Sequence, residues 1–217
     1  MRPGRSSAHM PDLIGRLIAG ETSLVVIEPD AKKHTGPPEM AVVLAGSFNP
    51  LHTGHEQMLA AAARMTGRQP VYELSVTNVD KPPIPREVVE ERAAQLKGRA
   101  RLVLTRAPTF EQKSALMPGS VFVIGYDTAA RLFVERYYPP YDAANDPTRA
   151  GSGSALAMET MRRNRCSFAV AGRVGPGGRF HTLAEVEIPA RYREMLVQIP
   201  ESEFRADVSS SQLRQKG

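Results

Sequence analysis

Short apolar runs alternate with amphipathic segments over most of the chain. The apolar runs predict strands over residues 41–45, 71–76, 101–105, 121–125, 167–172 and 195–200. Apolar positions at helical spacing predict helices over residues 54–65, 86–96, 110–116, 127–137 and 155–163. Strands that alternate with helices indicate right-handed βαβ crossovers and parallel pairing. The pattern therefore predicts an α/β fold, with a doubly wound, mostly parallel sheet and helices on both faces.

The beginning of the chain follows a different pattern. Residues 13–28 predict a short amphipathic helix followed by a short strand, and residues 29–38 are polar and rich in turn residues, as a linker would be. We therefore divide the chain into an N-terminal extension and linker, residues 1–38, and one domain, residues 39–217. Within the domain, residues 138–154 carry many turn-forming residues and predict a long, mobile loop.

Composition excludes several classes of protein. The chain has 217 residues, of which 41% are apolar and 24% charged, so it can bury a sizeable core. No apolar run approaches the roughly 18–20 residues that a membrane helix needs. The single cysteine, Cys166, excludes an intrachain disulfide and a zinc site built on a CxxC pair. These features predict a cytoplasmic protein that does not bind membranes.

Charge indicates the kind of partner. The net charge is +5, with most of the excess in the last 58 residues and no arginine-rich run. Mild positive charge suits a phosphate-bearing small molecule, whereas a nucleic-acid surface usually has a denser basic stripe. Aromatic residues make up only 6% of the chain, which also disfavours an RNA-binding module. We therefore expect small-molecule substrates and no nucleic acid; the sequence gives no indication of the oligomeric state.

The most informative segment is residues 46–55, GSFNPLHTGH, directly after the first strand of the domain. Gly46 and Gly54 leave room for a phosphate to approach the backbone, and the following helix offers free N–H groups at its N-terminus. His52 and His55 are three positions apart and therefore share one face of the first helical turn. They could donate hydrogen bonds to a phosphate whose charge rises during a reaction. A metal-binding pair and a purely structural loop are the alternatives.

This segment resembles the HxGH signature of the nucleotidylyltransferase superfamily. A second signature of that superfamily, of the form I-S-x-T-x-x-R, is similar to residues 208–214, VSSSQLR, in which Ser211 stands in place of Thr. The resemblance covers residues 40–214 and is strongest to the nicotinamide mononucleotide adenylyltransferase-like and cytidylyltransferase-like branch. It implies a Rossmann-like sheet and an enzyme that transfers a nucleotidyl group.

The resemblance also implies roles for individual residues. The catalytic residues would be His52 and His55, which steady the α-phosphate, and Arg214, which holds the leaving pyrophosphate. The nucleotide would be bound by Gly46, Ser47, Phe48, Gly54, Gly125, Asp127, Ser209, Ser210 and Ser211. The acceptor would be bound by Asn78, Asp80 and Lys81, with plain turn formation as the alternative for these three. Asp127 could equally be a helix N-cap, Arg92 is expected to be structural, and no residue is assigned to a metal.

The reaction that this resemblance implies belongs to NAD biosynthesis. ATP and nicotinamide or nicotinate mononucleotide would give a dinucleotide and pyrophosphate, with Mg²⁺ neutralising the β- and γ-phosphates. Two alternatives stay open: a transferase of the same superfamily with phosphopantetheine or a sugar or polyol phosphate as acceptor, and a nucleotide-binding regulator without turnover. The chain has no tryptophan to stack on nicotinamide, so an aromatic residue such as Tyr126, Phe133 or Tyr137 would replace it. It ends three residues after Arg214, where the family helix usually continues, so we expect a short helix there.

Overall fold

A parallel sheet forms the centre of the computed structural model, which describes residues 12–77, 82–135, 138 and 153–205. The strands are β1 (Leu24–Ile27), β2 (Lys33–His34), β3 (Val42–Ala45), β4 (Pro70–Ser75), β5 (Leu102–Thr105), β6 (Val121–Gly125), β7 (Ser167–Ala171), β8 (Arg173–Val174), β9 (Phe180–His181) and β10 (Leu196–Ile199). The α-helices are α1 (Leu13–Ala19), α2 (Thr53–Thr66), α3 (Arg86–Ala94), α4 (Phe110–Leu116), α5 (Tyr126–Ala129) and α6 (Gly153–Arg163). Short 3₁₀ helices span Pro176–Gly178, Leu183–Glu185 and Ala190–Met195.

The strand order explains where a ligand can bind. Eight strands form one sheet in the order β10-β7-β6-β3-β4-β5-β1-β2, and the six from β10 to β5 are parallel. From β3 the chain moves outward through β4 and β5, and then crosses back to build β6 and β7 on the other side. The order therefore reverses between β3 and β6, and open parallel sheets bind ligands outside the carboxyl ends of their strands at such a point. This arrangement confirms the predicted doubly wound α/β fold.

Alternation along each strand builds a core on both faces of the sheet. In β3, Val42 and Leu44 join one buried cluster, together with Leu59 of α2, and Val43 joins the other. Met158 and Met161 of α6 pack in that second cluster. The sheet is thus covered by helices on both sides, as the apolar pattern predicts. No helix in the described part of the chain combines the length and the apolar content that crossing a bilayer requires.

The segment before β3 adds a helix and two strands to this sheet. Strand β1 pairs antiparallel with β5, with Val25 opposite Leu104, and β2 pairs antiparallel with β1. Leu17 of α1 is fully buried in the first cluster. The predicted helix and strand are therefore present, and β2 is an addition that the polar sequence does not suggest. The division of the chain near residue 38 stays a prediction, but α1 and β1 share their core with the rest.

One predicted helix is wrong. The pattern predicts a helix over residues 127–137, whereas α5 ends at Ala129 after a single turn. Beyond it, the amides of Arg131, Leu132 and Val134 donate to carbonyls only three residues back, which produces tight turns instead of an α-helix. The carbonyl of Leu132 accepts a hydrogen bond from the Tyr138 hydroxyl. The predicted loop over 138–154 lies largely outside the described residues, although Ser154 already belongs to α6.

Candidate functional site

The loop after β3 is shaped by a phenylalanine that turns inward. Phe48 has a positive φ of 45° and is 1% exposed, with its ring edge-on to His55 and to Tyr72 at centroid distances of 5.4 Å. A Cβ at Gly46 would lie 2.7 Å from that ring, so glycine is required there by Phe48. Since its side chain belongs to the core, Phe48 can approach a nucleotide only through its backbone. Ser47 and Asn49, on either side, are exposed.

The two signature histidines lie face to face at the start of α2. Their ring centroids are 3.7 Å apart with 26° between the planes. His52 is the N-cap of the helix, and its backbone N–H donates to Nδ1 of His55 over 3.4 Å. Because Nδ1 of His55 accepts this bond, the proton of the neutral ring is on Nε2. The second nitrogen of His55 is therefore a hydrogen-bond donor.

Burial keeps these rings neutral. It lowers the pKa of His55 to about 4, an effect to which neighbouring His52 adds, and it also lowers the pKa of His52. Glu56 acts in the opposite direction on His52. At neutral pH the pair therefore offers uncharged donors beside the free N–H groups of a helix N-terminus. Such a surface suits a phosphate, whose own negative charge would favour protonation of the rings.

A residue that the sequence does not single out fastens this loop. Gln95, the C-cap of α3, accepts a hydrogen bond from the N–H of Leu51 over 2.8 Å and donates one to the carbonyl of Phe48 over 3.1 Å. Both bonds join the loop to a helix more than 40 residues away in sequence. A glutamine at a helix end carries no local signal of such a role, so only the tertiary structure identifies it.

The residues at the end of β6 lie on the other side of the strand-order reversal from the signature loop. Gly125 is the N-cap of α5, so the alternative role of Asp127 as N-cap is wrong. Asp127 is exposed and forms an ion pair with Arg173 of β8. Tyr126 stacks on His181 of β9 at a centroid distance of 5.2 Å. Of the other predicted stacking residues, Phe133 packs on Tyr192 at 6.1 Å in the second core cluster, and Tyr137 lies outside the described residues.

A cleft of about 830 Å³ opens beside the signature loop. This volume is in the range of small-molecule sites, roughly 300–1,000 Å³. Its wall includes residues 45–47 and Asn49 on the loop side, residues 82–85 after β4, and Val88 and Arg92 of α3. Thr128, after β6, also lines it, so the cleft extends along the carboxyl ends of the central strands.

A buried ion pair lies in the wall of the cleft. Glu73 of β4 is 0% exposed, and its Oε1 accepts hydrogen bonds from Nζ of Lys113 at 2.9 Å and from the Thr105 hydroxyl at 2.6 Å. Lys113 also donates to the carbonyl of Ala107. The second carboxylate oxygen, Oε2, is buried without a hydrogen-bond partner. The apolar patterns of β4 and α4 do not indicate that Glu73 and Lys113 pair, so only the structure shows this ion pair.

Several of the predicted site residues lie outside the described residues. They are Asn78, Asp80, Lys81, Ser209, Ser210, Ser211 and Arg214. Their assignments stay predictions, and so does the meeting of the two signatures in one cleft. Gly46, Ser47, Gly54, His52 and His55 come together at the β3–α2 junction, while Gly125 and Asp127 lie at the end of the neighbouring strand, β6.

A comparison with known protein families finds a match to this chain. A sequence model described as cytidylyltransferase-like matches residues 43–216, a range that begins within β3 and includes the HxGH segment and the predicted second signature. None of the curated proteins matches the chain at a level that marks a relationship. The matched range also includes every strand from β4 to β10.

Proposed function

The chain belongs to the cytidylyltransferase-like family, and from this premise we propose that it transfers the AMP group of ATP to nicotinamide or nicotinate mononucleotide. The family supports nucleotidyl transfer in general. The observation that carries the proposal is the pair of neutral, stacked imidazoles of His52 and His55, at a helix N-terminus beside the point of strand-order reversal. A cleft large enough for a nucleotide adjoins the signature loop at residues 45–47 and Asn49.

The proposed chemistry needs no covalent nucleophile from the protein. An oxygen of the acceptor phosphate bonds to the α-phosphorus, the bond from that phosphorus to the bridging β-oxygen breaks, and pyrophosphate leaves. Catalysis of this kind depends on positioning and on stabilising charge. Nε2 of His55 would donate to an α-phosphate oxygen, where negative charge develops. Ser209, Ser211 and Arg214 would hold the leaving pyrophosphate through hydroxyl groups and a guanidinium fork.

Magnesium is expected to arrive with the substrate as MgATP, in which it neutralises charge on the β- and γ-phosphates. Within the described residues, no three of the His, Cys, Asp and Glu side chains lie together as a metal site would require. None of the steps above depends on a ligand for the ion from this chain.

The direct test is pyrophosphate release from MgATP with a panel of acceptors: nicotinamide mononucleotide, nicotinate mononucleotide, phosphopantetheine and glycerol phosphate. CTP replaces ATP in a parallel series. We expect release with ATP and at least one of the two pyridine mononucleotides. Release with another acceptor only, or with CTP only, would make the chain a different transferase of this family. Release with none would favour a regulator that binds nucleotides.

A histidine variant ties the activity to the site. His55→Ala removes one donor to the phosphate, and losing one such donor typically costs about 10²–10³ in rate. The matched control is His34→Ala, since His34 is exposed in β2 and pairs with Glu28. Undiminished turnover of His55→Ala would remove the imidazole pair from the mechanism.

A further inference from the structure

We infer that Arg92 is the ligand for the phosphate of the acceptor, and that the part of the cleft between the signature loop and α3 is the acceptor subsite. This inference rests on the proposed function for the identity of the acceptor, but not for its phosphate. The sequence favours a structural role for Arg92, which would require a partner for its guanidinium.

Among the described residues, Arg92 has no such partner. Arg92 is half-buried and lines the cleft, and no hydrogen bond or ion pair of its side chain exists in the part of the chain that the structure describes. The neighbouring arginines differ in this respect: Arg86 pairs with two carboxylates, and Arg99 and Arg101 with one each. Those partners are Asp12 and Glu90 for Arg86, Glu56 for Arg99 and Glu28 for Arg101. A partly desolvated guanidinium without a counter-charge is suited to an anion from outside the protein.

The other charges of the cleft wall do not compensate Arg92. Glu73 and Lys113 also line the cleft, but they are bonded to each other at 2.9 Å and sum to zero. Among the described lining residues, the net charge is therefore that of Arg92 alone. A concave site with one uncompensated cation attracts a phosphate group.

The helix that carries Arg92 is joined to the signature loop. Val88, one turn earlier on α3, lines the same cleft, because positions four apart share a helix face. Val89 of the same helix is buried in the core, and Gln95 fixes the end of α3 to the signature loop. The guanidinium is thus carried by a helix that is fastened to the loop of His52 and His55.

Position along the sheet favours the acceptor over ATP as the ligand of Arg92. Helix α3 follows β4, whereas the strand order reverses between β3 and β6 on the other side of the loop. In-line transfer puts the attacking phosphate and the leaving pyrophosphate on opposite sides of the α-phosphorus. If the triphosphate occupies the β3–β6 side, the acceptor phosphate lies on the β4–α3 side, where Arg92 is.

The test is calorimetric binding of ribose 5-phosphate, with ribose as the comparison, in the presence of saturating magnesium and a non-hydrolysable ATP analogue. Wild-type protein should bind the phosphate ester and not the free sugar. Arg92→Gln should weaken this binding about 10- to 100-fold, the size expected for a charge-assisted bidentate contact. Arg92→Lys, which keeps the charge and loses the fork, should fall between the two. The control is Arg193→Gln, an exposed residue that does not line the cleft.

Steady-state kinetics separate this inference from the proposed function. In an active enzyme, Arg92→Gln should raise the KM of the acceptor by a similar factor and leave the KM of ATP within about twofold. Turnover without any change in acceptor KM, a change confined to ATP, or no binding of ribose 5-phosphate by the wild-type protein would each overturn the role of Arg92. If no mononucleotide reacts but binding still depends on Arg92, the proposed function fails and the phosphate subsite stands. Thermal unfolding midpoints of all variants, with Arg92→Lys as the conservative change, identify any loss that comes from misfolding.

Discussion

Gln95 and Phe48 are joined by a hydrogen bond of 3.1 Å from the side-chain amide of one to the backbone carbonyl of the other. The amide oxygen of Gln95 accepts from Leu51 in the same loop, so both edges of the turn are attached to α3. The position of the loop, and with it that of His52, therefore depends on a helix built much later in the chain.

Replacing Gln95 by Met tests this dependence at nearly constant volume. The change removes both hydrogen bonds and leaves a carbonyl and an amide of the loop without a protein partner, so we expect a loss of about 1–3 kcal/mol in the free energy of unfolding. A displaced loop should also lower kcat/KM by about 10- to 100-fold, since small misplacements of reacting groups cost this much. Urea unfolding and initial rates measure the two effects.

The matched control for this change is Gln69→Met. Gln69 is exposed before β4, at the opposite end of the sheet, and its replacement should alter stability by less than about 0.5 kcal/mol. Equal effects of the two substitutions would contradict the role of Gln95.

The lowered pKa of His55 predicts how stability depends on pH. The folded state has a pKa of about 4 for this ring, whereas an unfolded histidine titrates near its ordinary value of about 6.5. Between these values the unfolded chain binds more protons, so the free energy of unfolding falls as the pH decreases from about 6.5 to about 4. Below about 4 both states are protonated and this contribution no longer changes.

Urea unfolding at several pH values, compared between wild type and His55→Asn, isolates this contribution. The variant should show a shallower decline between pH 6.5 and 4. Identical slopes for the wild type and His55→Asn would mean that His55 titrates normally.

The buried pair of Glu73 and Lys113 predicts an asymmetry in stability. Lys113→Met leaves a buried carboxylate without its counter-charge, which should cost about 3–5 kcal/mol in the free energy of unfolding. Replacing both residues by Met removes the two charges together and should cost less than Lys113→Met alone. The comparison is Arg162→Met, which breaks the exposed pair with Glu159 and should cost less than about 1 kcal/mol. A double variant as unstable as the sum of its parts would argue against the pairing.

Helix α1 offers a test of how the chain is divided. Leu17 is fully buried, and Nη1 of Arg106 donates to the carbonyls of Leu17 and Ile18 at 3.2 and 2.8 Å. Leu17→Ala should therefore lower the free energy of unfolding of the whole domain by about 2–5 kcal/mol. Val197→Ala, at a residue that is 47% exposed, is the control and should cost less than about 1 kcal/mol. An unfolding midpoint of Leu17→Ala equal to that of the wild type would make residues 1–38 an independent extension.

The elements that the sequence predicts correctly are those with a strong local signal. β3 is an uninterrupted apolar run, and α2 begins within the signature, at Thr53 after its N-cap His52, so both lie where the pattern puts them. The helix predicted beyond Ala129 fails for the opposite reason. Its apolar spacing is helical, but the turns after α5 bring Leu132 into the core, and that requirement comes from packing rather than from local preference.

The residues of the candidate site also differ in whether the sequence indicates them. His52, His55 and Gly46 are visible in the sequence because a short motif carries them. The roles of Glu73 and Gln95 are not visible, because each acquires its role from a partner far away in the chain, and the sequence predicts a structural role for Arg92. A glutamate in a strand and an arginine on a helix have too many ordinary roles for their positions to indicate these contacts. Alternation in β4 does place Glu73 on one face of the sheet, but not opposite a lysine.

The antiparallel strand β1 has a consequence for solubility. It pairs with all four residues of β5, the last parallel strand, and at this margin of the sheet the two exposed residues of β2, Lys33 and His34, cover Val26 and Ile27. Such a short and charged margin is a poor template for docking a second sheet. In a fragment that begins after residue 38, β5 (Leu102–Thr105) would become an exposed edge strand, and its residues are apolar apart from the final threonine. That fragment is expected to aggregate through strand-to-strand association. We therefore expect the segment before β3 to protect the protein from self-association.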